Sequence, residues 1–174
     1  MIVGKDGISA ILIWFFWIVV THPYVEAKIL KEINEHLFDN GKSKDLNING
    51  LSKLVYLHGA ICKTLCLFPP IPFEHKFLVQ YDILPSSHSI RPNTTILCSL
   101  YSMGRMESIW GEDCLDFKPE RWILESGGIV HVPSFKFIVL GSKELGTNVL
   151  ELHFVMLANH DQNVLVLLKV CIFM

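Results

Sequence analysis

The chain has 174 residues, 51% of them hydrophobic and 18% charged, with 15 basic against 17 acidic side chains and a net charge of -2. Its length suits one domain, and its hydrophobicity excludes intrinsic disorder, which needs few apolar and many charged residues. The charge balance gives no drive toward a polyanion, so no nucleic-acid partner is implied.

In chain order, the first feature is Ile8 to Val20, ISAILIWFFWIVV, thirteen residues without a charge. A bilayer span needs about 20 apolar residues, so a run of this size marks a buried core helix or a signal-peptide core. Lys5 and a Val25-x-Ala27 cleavage pattern favour the second reading, whereas Asp6 and the bulky Tyr24 favour the first. Thr21 and Pro23 read as a cap and first-turn proline for a second helix, with Val25, Ile29, Ile33 and Leu37 on one apolar stripe. Residues 39–49 (DNGKSKDLNIN) form a polar loop. Leu51, Leu54, Val55, Leu57, Ile61 and Leu65 then predict a third helix over 50–68, which the Pro69-Pro70 pair ends.

From Phe77 the period changes. FLVQYDILP and TTILCSLY, separated by a turn at 86–89, read as two β-prone runs that pair as a hairpin. Residues 105–136 carry Gly, Pro, Trp and charge without a period and predict ordered loop with a helical turn or two. Leu145 to Leu157 reads as a helix, and periodicity assigns Val164 to Phe173 to neither helix nor strand. The five cysteines (62, 66, 98, 114, 171) include no CxxC pair, and the eight histidines no HExxH. Structural thiols are the default reading, and no metal site is predicted.

Three segments together carry a resemblance. They are VGKDGISAILIWFFWIVVTHPYVEAKILKEI (Val3 to Ile33), LSKLVYLHGAICKTLCLFPPIPFEHK (Leu51 to Lys76), and DILPSSHSIRPNTTILCSLYSMGRMESIWGEDCLDFKPERWI (Asp82 to Ile123). In this order and spacing they resemble the C-terminal half of a cytochrome P-450, a heme-thiolate monooxygenase, and are most similar to the plant type that hydroxylates fatty acids and alkanes. The resemblance runs over 1–146 and implies a partial cytochrome P-450 fold, mainly α with a small antiparallel β sheet (α+β), with 147–174 as a divergent, unassigned tail. It implies heme and iron, a reductase, a long-chain lipid substrate and the endoplasmic reticulum membrane. Because the region before the distal helix and the N-terminal anchor are absent from this sequence, the expectation is a truncated relative. Its exposed apolar surface predicts membrane or self-association.

Residue by residue, the resemblance does not carry the family chemistry across. The family's heme loop reads Phe-x-x-Gly-x-Arg-x-Cys-x-Gly, and the corresponding stretch is FIVLGSKELG, in which Gly141, Lys143 and Gly146 take the glycine, arginine and last glycine positions. It has no cysteine, although the thiolate is what favours O–O cleavage. Asp6 keeps the acid of the distal helix, but the following alcohol position is Gly7. Lys63 and Cys66 stand where the family has a Glu-x-x-Arg pair that engages the arginine corresponding to Arg121, so an attraction becomes a repulsion in the core. Loss of one member of a buried pair costs about 3–5 kcal/mol, with Glu120 or Glu74 as substitute partners for Arg121 and solvent as an exit for Lys63. His75 and Lys76 lie near where the family contacts a heme propionate, and a solvated basic pair is the alternative. The sequence therefore predicts an inactive relative that does not bind heme. Against it stand an active heme-binding monooxygenase and a non-enzymatic membrane or interaction protein using Ile8 to Val20.

Overall fold

The computed structural model describes residues 3–39, 42–43, 52–84, 86–133 and 136–137, with the backbone alone at 3–6, 8, 38–39 and 42–43. Helix α1 (Val3–Thr21) holds the uncharged run, and α2 (Pro23–Leu37) follows after a sharp bend of 109°. Thr21 is the last residue of α1 and not a cap for α2. Its hydroxyl turns back to donate to the carbonyls of Trp17 (3.1 Å) and Ile18 (2.9 Å), a geometry that draws a Ser or Thr into the end of the helix it follows. His22 makes the corner, and its carbonyl accepts from the N–H groups of Val25 and Glu26. Pro23 then opens α2 as the sequence predicts, because the N–H it lacks would have no partner there.

The stripe Val25, Ile29, Ile33 and Leu37 is buried, as its spacing predicts. It packs with Phe15, Ile18 and Val19 of α1, with Leu57 and Ile61 of a third helix, α3 (Val55–Leu67), and with Leu54 just before it. Helix α3 starts later than predicted, since Ser52 and Lys53 form a turn. It is the central element, buried at every position from Gly59 to Leu67. The apolar run of α1 is accordingly a core helix over most of its length, with Phe15 and Val19 at 1% exposure and, among the described side chains, Ile13, Trp14 and Trp17 as its large apolar residues turned outward.

The β structure differs from the expected hairpin. Short strands β1 (Phe38–Asp39) and β2 (Lys42–Ser43) pair with each other. Strand β3 (Phe73–Phe77) pairs antiparallel with β6 (Thr95–Ser99), in a register running from Phe73 opposite Ser99 to Phe77 opposite Thr95. Between them β4 (Asp82–Ile83) and β5 (Ser89–Ile90) make their own small hairpin. The partner of the second β-prone run is thus FEHKF, upstream of the run chosen from β propensity. The charged side chains of half-buried Glu74 and exposed Lys76, opposite Cys98 and Ile96, hide that strand from a reading based on apolar alternation.

Beyond β6 a short helix, α4 (Leu100–Met103), takes the last two residues of the second β-prone run, and the stretch from 105 is ordered loop with brief turns, as predicted: α5 (Glu107–Trp110) and a 3₁₀ turn at Pro119–Trp122. The fold is mainly α with a small antiparallel sheet. The helix and undetermined run predicted within 145–173 lie outside the described residues.

Candidate functional site

Helix α3 and the 3₁₀ turn come into backbone contact because Gly59 has no side chain. A Cβ there would lie 2.8 Å from the Pro119 carbonyl oxygen. A second glycine works on the opposite approach, since a Cβ on Gly104 would lie 1.9 Å from the Cys66 carbonyl oxygen. These two close approaches hold the 104–122 loop against α3 and bring Lys63, Cys66, Asp113, Cys114 and Arg121 into one cluster.

Lys63 has no exposed surface, and its Nζ donates to the Cys114 carbonyl at 2.7 Å. It does not reach solvent. Burial pushes its pKa down from the ordinary 10.5, and the nearby Arg121 guanidinium adds to that push. Cys66, also buried, donates weakly from Sγ to the Gly104 carbonyl at 3.6 Å, and burial pushes its thiol upward from 9.0. Arg121 finds its carboxylate in Asp113 and also donates to the Trp110 carbonyl. Neither Glu120 nor Glu74 is that partner. Glu120 accepts from Lys28 (2.9 Å) and from the Tyr56 hydroxyl (3.0 Å), and Glu74 pairs with Lys76 at 2.6 Å. Lys118 on one oxygen of Asp113 and Arg121 on the other hold the carboxyl of Asp113 down at about 2.

Sequence reasoning missed Asp113. Four acids, Glu107, Glu112, Asp113 and Asp116, precede the 3₁₀ turn, and their spacing does not single out the one that the turn aims at Arg121. It also missed Glu32, whose two carboxylate oxygens accept from the N–H groups of Tyr56 (2.7 Å) and Leu57 (2.9 Å). Leu54 at the start of α3 offers no side-chain cap, so α2 supplies one across space.

The other candidate positions are dispersed. Asp6 lies near the start of α1, its side chain outside the described residues. At Gly7 a Cβ would meet nothing within 4 Å, so the alcohol position is open space. His75 and Lys76 stand on β3 with exposed side chains. Gly141, Lys143 and Gly146 lie outside the described residues.

The buried thiols of the described residues do not fit a thiolate ligand for heme. Cys62, Cys66 and Cys114 are buried in the α3 core, where Cys114 Sγ donates to the Arg105 carbonyl at 3.2 Å. Burial favours the protonated thiol at Cys66, the reverse of what ligation requires. Among the described residues no three His, Cys, Asp or Glu side chains gather as a metal site.

The sequence model of the family described as cytochrome P450 matches residues 1–141. Among curated relatives, alkane hydroxylase MAH1 of Arabidopsis thaliana is 45% identical over 91% of this chain and 31% of its own length. Noroxomaritidine synthase 2 of Narcissus aff. pseudonarcissus MK-2014 is 40% identical over 82% of this chain and 29% of its own. Cytochrome P450 94A2 of Vicia sativa is 39% identical over 71% of this chain and 23% of its own. The chain thus spans about a third or less of the length of these relatives.

Proposed function

Because this chain belongs to the cytochrome P450 family, we propose that it is a relative of the oxygen-dependent hydroxylases of long-chain fatty acids and alkanes in which heme-thiolate catalysis has been lost. One observation carries this reading: no cysteine occurs between Cys114 and Cys171, so FIVLGSKELG offers no sulfur at the position where the family places one. The family's heme supplies iron whose reactivity toward dioxygen depends on electron donation from a thiolate. Imidazole and carboxylate side chains cannot replace that donation. Gly7 at the alcohol position and Lys63 with Cys66 at the ion-pair positions support the same reading, since each lacks the group that the family chemistry or fold requires.

On this reading 1–146 is the family domain and 147–174 a divergent tail. A reductase, a long-chain substrate and the endoplasmic reticulum membrane belong to the ancestral activity. Among the described residues no single helix is long and apolar enough to cross a membrane. The outward Ile13, Trp14 and Trp17 of α1 support association with a membrane or a second copy.

The test is optical. The full chain is incubated with heme, reduced and exposed to carbon monoxide. Absence of the thiolate-type absorption band is expected, and its appearance would overturn the proposal in favour of an active monooxygenase.

A further inference from the structure

A cleft of about 550 Å³ opens at the C-terminal ends of α1 and α3, beneath the 105–118 loop, well within the range of small-molecule sites. Three aromatic rings form its walls. Phe68 stands at 82° to Trp17 with centroids 6.2 Å apart, and Phe117 lies 5.3 Å from the ring of His22. Trp14 stacks on Phe68 at 4.4 Å and 7°, fixing that wall in place. Flat rigid walls of this kind fit a flat apolar body.

The charged side chains lining the cleft are Arg105, Lys118 and Asp116. Lys118 is engaged by Asp116 at 3.1 Å and by Asp113 at 2.8 Å. Arg105 has no carboxylate partner among the described residues. It donates from one nitrogen to the Tyr101 carbonyl at 3.2 Å, and its guanidinium lies 3.6 Å from the Tyr101 ring centroid and 5.7 Å from that of Phe68. Among the described residues the rest of its N–H fork meets no acceptor, and one positive charge is left over in the lining.

We propose that this cleft binds an aromatic monocarboxylate, the ring held between Trp17, Phe68 and Phe117 and the carboxylate received by Arg105. A guanidinium already fixed by stacking needs little further ordering to take a carboxylate in bidentate fashion. The site uses neither heme nor the loop at 137–146, so it is independent of the fate of the catalytic activity.

Calorimetric titration of the full chain with naphthoate and with the uncharged naphthamide tests the proposal. Saturable binding of naphthoate is expected, with the amide about tenfold or more weaker, the ratio that one charge-assisted contact supplies. Arg105→Gln should bring naphthoate down to the level of the amide. Leu115 lines the same cleft and is 64% exposed. Leu115→Trp should therefore fill the cleft without disturbing the core and abolish binding of both. Circular dichroism checks the fold of each variant, and if Arg105→Gln does not fold, the amide comparison and Leu115→Trp decide. No saturable heat up to about 1 mM ligand, equal affinities for acid and amide, or binding unaffected by either folded variant would overturn the assignment.

Discussion

A lysine with no exposed surface, hydrogen-bonded to the carbonyl of Cys114 and lying near an arginine, is carried at a cost in the folded state. Burying an ammonium costs several kcal/mol, whereas losing its bond to a carbonyl costs about 1–3 kcal/mol. Lys63→Met, of similar length and no charge, should therefore raise stability at neutral pH by about 1–3 kcal/mol, read from urea midpoints. The pH dependence gives a second check. Burial lowers the Lys63 pKa in the folded state, so between that lowered value and 10.5 the unfolded chain binds more protons and stability rises with pH. The gap between wild type and Lys63→Met should narrow as pH rises from neutral toward 9.0. Beyond that point Cys66, whose thiol is raised, contributes the opposite slope. A gap independent of pH would mean that Lys63 holds its proton equally well folded and unfolded, so that burial does not lower its pKa. Asp113 has the complementary sign. Its carboxyl, held at about 2 by Lys118 and Arg121, contributes stability above 3.8 that is lost as pH falls toward 2. In Asp113→Asn, acid unfolding followed by circular dichroism should lose its component in that window, and Arg121 should be left with the Trp110 carbonyl as its described partner.

At the scale of elements, α3 depends on α2 for more than apolar contact. Glu32 satisfies two N–H groups at the start of α3 and places a negative charge at the positive end of the helix. Glu32→Ala should cost about 1–2 kcal/mol, and amide exchange should quicken first at Tyr56 and Leu57. Uniform loss of protection along α3 would instead mean that the carboxylate acts only through general packing. This contact marks the boundary of what the sequence discloses. The stripe Val25, Ile29, Ile33 and Leu37 is legible because a helix writes its buried face into a spacing of three to four residues. A cap reaching across from another helix leaves no such spacing, nor does the pairing of Phe73–Phe77 with Thr95–Ser99 around an intervening hairpin. The same limit applies to the cluster on α3. The replacements at Lys63 and Cys66 are visible in the chain, but the acid that meets Arg121 and the carbonyl that receives Lys63 are set by how the 104–122 loop folds over Gly59 and Gly104.

For the whole molecule, two opposing terms govern solution behaviour. Ile13, Trp14 and Trp17 stand outward on α1, and Phe77, Val79, Tyr81 and Ile83 stand outward along β3, β4 and the segment between them. Attraction between such surfaces on separate copies depends little on pH. Repulsion between copies grows with net charge, which is only -2 at pH 7 and passes through zero near pH 6.4. Association should therefore peak close to pH 6.4 and fall as the pH moves away on either side. Static light scattering across this range at low ionic strength measures it, and salt supplies the control. Screening should increase scattering where the chain carries charge and change it little at pH 6.4. Scattering that follows neither pH nor salt would mean that charge does not restrain association. Lowered scattering in a Trp14→Ser, Trp17→Ser pair, with unchanged pH dependence, would locate the attractive surface on α1, because both rings are partly exposed while the core faces of Phe15 and Val19 stay intact.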